Sequence, residues 1–418
     1  MHGGQEDPGL RASEVSHDFP HLLYTDPLMK LELIQAALRE AGIDGWLFYD
    51  HHGRDPLAYR ILGLPEGAHV TRRWFYLIPA SGTPSKLVHR IESGRLDPLP
   101  GTKVEYSSWQ ELEAELADLL KGSDRLAMQY SPRNAIMYVS MVDAGTVEML
   151  RSLGKQIVSS ADLVSHFEAV LSEDQIESHF EAQRKIDSIL AESWQEMGCR
   201  VRADGQTSEW AMVRWFAEAL DQAGIVWDHG PNVSAGANSA DSHYEPTAES
   251  SQAIRQGTFV LVDIWGRMNR PDTCFYDITW TGVVGREPTD REQTVFLAVR
   301  DARDAAIAAV REAFVGMRPI AGYEADDAAR AVLQARGFGA AFTHRTGHNI
   351  GNVLHGSGAH LDNLETHDER QLLANTCFSI EPGAYFPGEF GIRSEVDMIA
   401  RVGSANVSGR VQTELVRI

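Results

Sequence analysis

Apolar residues return every three or four positions in some stretches of the chain and fill short unbroken runs in others, and this alternation predicts the element order. LMKLELIQAALREAG sets Leu31, Ile34, Leu38 and Ala41 on one helical face and stops at Gly42, and WLFYD follows as a short buried strand. WFYLIPA and SKLVHRI read as strands. A helix opening at Ser108 has Glu111 three residues later, the pairing of a capping box, and offers Trp109, Leu112, Leu116 and Leu119 to a core. Strand-like RLAMQY, a helix over VDAGTVEMLRSLG and strand-like KQIVSS complete an α/β pattern over residues 28–171. His51 and His52 fall on a loop and read as a solvated pair.

A second region, 172–418, starts at Ser172 with Gln175 as another capping box. Its first helix carries Ile176, Phe180, Ile186, Leu190, Trp194 and Met197 at helical spacing, and a second runs from Ser208 through Trp210, Val213, Phe216 and Leu220 to Gly224. From Trp227 to Gly285 the period changes to that of strands. The order then restarts: Thr289 and Glu292 open a long helix, EADDAARAVLQARG gives a shorter one, and strand-like runs return from Phe342 to Arg401. Two helix-helix-strand halves predict a duplicated α+β unit whose strand ends can meet in one central site.

Charges interrupt the strand-like runs at particular points. In FVLVDIWGRMNRPDTCFYDITWTGVVG, Asp263 and Asp277 fall where a strand would be buried, and an ionised carboxylate there is costly without a compensating cation or donor network. Taken alone, the pair reads equally as turn or capping aspartates. The second half adds His348 in HRTGHNIG, Glu381 in CFSIEPGAYF and Glu395 in GIRSEVDMIA. Four carboxylates and one imidazole match the charge of two divalent cations, and an oxygen-rich set without thiolate favours manganese, cobalt or iron over a structural zinc site. Paired metals acidify a shared water and clamp a carbonyl oxygen, the equipment of a hydrolase.

A chain of 418 residues is long enough for two domains, and 43% hydrophobic with 23% charged residues is ordinary for a globular enzyme. A formal net charge of -21 argues against nucleic acid and anionic membrane as partners. Cys199, Cys274 and Cys377 form no CxxC and read as reduced, buried thiols. Residues 1–27 have neither a basic n-region nor an apolar h-region and no later run reaches membrane-spanning length, so a cytoplasmic protein with a loose leader is expected. HExxH, GxGxxG and a Walker loop are absent from the sequence.

Together, DIT, TGHxIG, IEPG and RxE, in this order, resemble metallopeptidase family M24, with its creatinase/aminopeptidase or pita-bread fold, and within it the aminopeptidase P and prolidase group. The resemblance covers residues 172–402 and implies a preceding creatinase-like α/β N-terminal domain. It implies that Asp263 is a terminal ligand of one metal, that Asp277 and Glu395 bridge both, and that His348 and Glu381 complete the second, with Mn(2+) ahead of Co(2+), Fe(2+) or Zn(2+). It further implies catalytic roles for Glu381, His243, His355, His344 and Arg393, leaves Arg345 and Tyr385 as structural residues, and suggests a homodimer. The implied reaction is hydrolysis of the bond between an N-terminal residue and proline in a small peptide. A pita-bread enzyme for a small non-peptide amide, a lyase, and an inactive binding scaffold are the alternatives. Three departures stand out: Asp263 and Asp277 lie 14 apart, wider than is usual, with Asp272 a competitor for the second position; Trp265 and Trp280 replace smaller residues or Arg; and Asn349 replaces a Gly.

Overall fold

The computed structural model describes residues 27–65, 67 and 69–418, and the chain divides between Glu168 and Ala169 into two units. The leader expected over 1–27 lies, apart from Pro27, outside the described residues.

The first unit comprises α1 (Pro27–Glu40), β1 (Gly45–Asp50), α2 (Pro56–Leu62), β2 (Trp74–Pro79), β3 (Ser85–His89), β4 (Thr102–Tyr106), α3 (Trp109–Leu119), β5 (Arg125–Met128), α4 (Ala144–Ser152), β6 (Gln156–Ser159) and α5 (Ala161–Glu168). Its six strands form one mixed sheet in the order β4-β3-β2-β1-β5-β6. The run GWLFYD is buried at every position because β1 lies inside the sheet between β2 and β5, where an alternating pattern has no solvent face to serve. The capping box at Ser108 is present, and Leu112 and Leu116 are buried as expected. Trp109 is not: it occupies the first turn of α3 and is 62% exposed. The sequence pattern gave no sign of β4, an edge strand with three of its five side chains exposed and therefore no apolar run to detect.

The second unit opens with α6 (Glu173–Asp204), capped by Ser172 and Gln175 in a reciprocal box and closed by Gly205 in the left-handed region. β7 (Gln206–Ser208), α7 (Glu209–Ala223), β8 (Ile225–Val226), β9 (Asn232–Ala235), β10 (Ala253–Arg255), β11 (Phe259–Met268) and β12 (Tyr276–Val283) complete the first half. The second half repeats the order with α8 (Asp290–Val315), α9 (Gly322–Ala335), β13 (Asn349–Ile350), β14 (Cys377–Ile380), β15 (Gly383–Phe386), β16 (Phe390–Arg393), β17 (Val396–Arg401) and β18 (Ser404–Ser408), and β19 (Val416–Arg417) returns to pair with β12. One sheet runs β19-β12-β11-β8 with β9 beside β11, and another runs β13-β14-β17-β18. Each half keeps its own core: Ile186, Trp194 and Phe216 pack with Val260, Val262 and Ile264 in the first, and Phe296, Val299 and Val310 with Phe378, Val396 and Met398 in the second.

The β11–β12 hairpin pairs Asp263 with Thr279 and Trp265 with Asp277, so all four side chains share one sheet face. Its extra length is taken up in the loop after Met268, where Asp272 is exposed with φ 54° in a turn, away from Asp277. The N–H of Glu395 donates to the Thr279 carbonyl at 3.2 Å, tying the second half to the first at this point.

Gly347 marks the tightest constraint beside that junction. A Cβ there would fall 1.9 Å from the Ser379 carbonyl oxygen, so the backbone of the segment carrying His348 can approach β14 only without a side chain. Gly347→Ala is expected to destabilise the protein by about 1–3 kcal/mol through overpacking, read as a shift of the urea midpoint; an unchanged midpoint would show that the segment relaxes freely.

Candidate metal centre

Five side chains named from the sequence come from five places in the second unit. Asp263 is carried by β11 and Asp277 by β12; His348 precedes β13, Glu381 follows β14 and Glu395 precedes β17. Because Ile380 pairs with Val396 across the β14–β17 ladder, Glu381 and Glu395 leave the same end of that sheet. The fold brings them together: ligand atoms of Asp277, His348 and Glu395 all lie within 4.8 Å of one another, His348 Nε2 is 3.4 Å from Glu381 Oε1 and 3.8 Å from Asp277 Oδ2. Asp263 joins through Arg393, whose guanidinium donates directly to its Oδ2 and lies 3.8 Å from Glu381 and 4.0 Å from Glu395.

Hydrogen bonds orient this set while leaving atoms to spare. His348 Nδ1 lies 3.2 Å from the Asn349 carbonyl, which can only accept, so the ring proton sits on Nδ1 and Nε2 turns its lone pair toward the carboxylates. Thr279 donates its hydroxyl to Glu395 Oε2 at 2.5 Å and accepts from Arg393 Nε at 3.0 Å, and Ser379 donates to Glu381 Oε1 at 3.1 Å. Asp263 Oδ1, Asp277 Oδ1 and Glu395 Oε1 are buried with no hydrogen-bond partner. Leaving three carboxylate oxygens both dry and unpaired is strongly unfavourable, and a divalent cation is the compensation that fits oxygen ligands of this kind.

The electrostatics agree. Desolvation, followed by the neighbouring charge of Glu395, pushes Asp277 well above the ordinary carboxylate range, and desolvation does the same to Glu395, with Glu381 next. Glu381 is raised to about 7, first by burial, with Arg393 and Arg345 opposing. Burial holds the His348 imidazole well below its ordinary value, so protons do not compete for Nε2 near neutrality.

The other residues expected around the centre surround it unequally. His355 packs edge-on against His348 at 4.3 Å between ring centroids; it is exposed, and its value is lowered first by desolvation and then by Arg345. His344 is depressed to about 3 by burial; Nδ1–H donates to the Arg345 carbonyl and Nε2 accepts from the Tyr385 hydroxyl, both at 2.7 Å. His243 is exposed on a turn next to Ser242, whose carbonyl accepts from Arg393 at 3.5 Å, and its charge acts on Asp263 and on His355. Asp397 was missed in the sequence: it is fully buried and its Oδ2 accepts the Asp277 N–H at 2.8 Å. A charge inside the apolar run VDMIA was the available signal, the same one that marked Asp263.

Two sheets of repeated helix-helix-strand halves, with buried carboxylates and one imidazole converging where they meet, define a pita-bread metal-dependent hydrolase. The chain belongs to metallopeptidase family M24, whose family model matches residues 177–401. It is 28% identical over 386 residues to a protein of Mycobacterium tuberculosis named "Probable dipeptidase PepE", covering 91% of this chain and 93% of that one. It is 33% identical over 236 residues to an "Xaa-Pro dipeptidase" of Lactobacillus delbrueckii subsp. lactis, covering 56% of this chain and 58% of the relative. In fold it is similar to the crystal structure of dipeptidase PepE from Mycobacterium ulcerans, with TM-score 0.71 and 24% identity over 96% of this chain and 99% of that one. Among the described residues, no helix is long and apolar enough to cross a membrane.

A carboxyl with a raised folded-state value keeps its proton in the native protein after the unfolded chain has lost it. For Glu381 that contribution to stability is present below the ordinary carboxylate value and is lost as pH rises through about 7. A divalent cation takes the place of the proton, so the gain in Tm on adding Mn(2+) to metal-stripped protein should grow between about pH 5 and about pH 8. A gain that is flat or shrinks over that range would contradict this account of the carboxylates.

Proposed function

We propose that the protein is a metallo-exopeptidase that cleaves the bond between an N-terminal residue and proline in small peptides. The observation that carries this reading is the set of buried, unpartnered oxygens of Asp263, Asp277 and Glu395, the last two gathered with His348, in a chain of family M24. The names of the two curated relatives, a dipeptidase and an Xaa-Pro dipeptidase, support the substrate class.

In this proposal Asp263, Asp277, His348, Glu381 and Glu395 hold two divalent cations, with Mn(2+) as the first choice for so oxygen-rich a set. When bound, the cations supply Lewis acidity, lowering the pKa of water and stabilising negative charge on the scissile carbonyl oxygen. Glu381, raised to about 7, is matched to hold a proton and return it to the leaving nitrogen. His355, neutral near physiological pH and edge-on to His348, donates to the oxygen on which charge develops, and His243 flanks the same mouth. His344, fixed between the Arg345 carbonyl and Tyr385, holds the wall of the pocket, and Arg393 aims Asp263 and opposes the rise that burial imposes on its carboxyl. The reading extends to a cytoplasmic protein and to a homodimer, the second of which light scattering of the purified protein tests directly.

Glu381→Gln keeps the side chain's shape but cannot relay a proton, and is expected to lower kcat by about 10²–10⁴-fold on an Xaa-Pro substrate with Mn(2+). His355→Ala is expected to reduce kcat more than it raises KM, by about 10²-fold or more, if its contact is made in the transition state. The deciding measurement is kcat/KM for Xaa-Pro against Xaa-Pro-Yaa peptides at defined metal. Turnover of either class supports the proposal, and inertness of both in metal-loaded protein would instead favour a small non-peptide amide as substrate.

A further inference from the structure

Behind the carboxylate centre lies a second cluster of ligand-type side chains that the proposed reaction does not use. His179 on α6, Cys274 just ahead of β12 and Cys377 at the start of β14 are each 0% exposed, and their ligand atoms lie within 4.8 Å of one another. Leu171, Ile176, Ile350, Leu354 and Ile399 enclose them in apolar surface. Cys199, by contrast, is exposed, which corrects the expectation that all three thiols are buried.

We propose that His179, Cys274 and Cys377 form a structural site for a thiophilic divalent cation of the zinc class, separate from the carboxylate centre. Two sulfurs and one imidazole are a soft donor set, unlike the oxygen-rich set of the carboxylates, so the two sites select different metals. The spacing is near what ligation requires. Tetrahedral zinc with Zn–S about 2.3 Å and Zn–N about 2.0 Å sets its ligands roughly 3.5 Å apart, and Cys377 Sγ is already 3.9 Å from His179 Nδ1. The histidine is held by partners suited to a ligand. Its Nε2 lies 2.7 Å from Ser408 Oγ, which can accept the ring proton once Nδ1 turns to a metal. The proton that Nδ1 donates to the Phe275 carbonyl at 2.6 Å is the one a cation displaces.

Asp397 adjoins the cluster through Ser408, whose hydroxyl donates to its carbonyl at 3.4 Å and lies 2.7 Å from His179 Nε2. Asp397 is 0% exposed, and its Oδ2 accepts the Asp277 N–H at 2.8 Å. With His179 on α6, Cys274 just ahead of β12 and Cys377 on β14, the site would pin α6 to both halves of the unit.

The test is the intact protein produced in medium supplemented with cobalt, so that metal is present while the chain folds. Cobalt bound to thiolate shows an intense sulfur-to-metal charge-transfer absorption in the near ultraviolet, which a carboxylate and imidazole centre lacks. The band is expected in the wild type, retained in Cys199→Ser and in Asp277→Asn, and lost in the Cys274→Ser, Cys377→Ser double variant. Zinc-grown protein should likewise lose about one ion per chain in the double variant. Cobalt-loaded wild type without the band would overturn the proposal, as would a band that survives the double substitution or vanishes in Cys199→Ser. Mapping of a Cys274–Cys377 disulfide in the protein as isolated would overturn it too, by assigning the pair to redox chemistry. If the double variant does not fold, the wild-type and Cys199→Ser spectra decide the question alone.

Discussion

The structure of the second unit turns on the repulsion among carboxylates that are driven into one dry space. Two ionised carboxylates 4 Å apart repel by about 4 kcal/mol at an effective dielectric constant of about 20, and a single guanidinium, that of Arg393, reaches three of these carboxylates at once. The raised values of Asp277, Glu381 and Glu395 express first the loss of water around each carboxyl and only then that repulsion. A peptidase of family M24 resolves it with divalent cations, so the arrangement that opposes folding is the one that confers chemistry.

Much of the surrounding architecture serves to hold those charges in place. Neither sheet supplies a complete set: the first offers the aspartates of one hairpin, and the second offers the two glutamates that leave one sheet end. The junction depends on short contacts made by small residues. Thr279 links Arg393 to Glu395, Ser379 links the His348 backbone to Glu381, and Gly347 permits the close approach of the two strands. Such residues act through others, by fixing the direction of a lone pair or carboxylate oxygen before any ligand arrives.

The rim differs in character from this interior. Trp265, opposite Asp277 in the hairpin, donates its indole N–H to Asp228 at 3.0 Å, and His243 and His355 remain exposed nearby. A rigid floor with an exposed, polar and aromatic rim is how one scaffold keeps its chemistry while changing what it accepts. The additional residues of the lengthened hairpin lie in the exposed turn around Asp272, whereas Trp265 shares a face with Asp263 and Asp277.

The sequence by itself indicated the long helices, the restart of the element order in the second unit and the side chains proposed for the centre. Long helices declared themselves by periodicity and by capping boxes at Ser172 and Thr289, because those signals are local. Asp263, Glu381 and Glu395 declared themselves as charges in or beside apolar runs, which water cannot explain. Local signals did not reveal how an atom is used once distant strands meet. The exposure of Trp109, the grip of Asp397 on the Asp277 backbone, and the bond between Tyr385 and His344 follow from which surface each residue faces. The three cysteines looked alike in sequence, yet tertiary packing left Cys199 in solvent and joined Cys274 and Cys377 to His179. Periodicity along a chain fixes which residues can share a face, whereas the distance between two faces exists only after the sheets have packed.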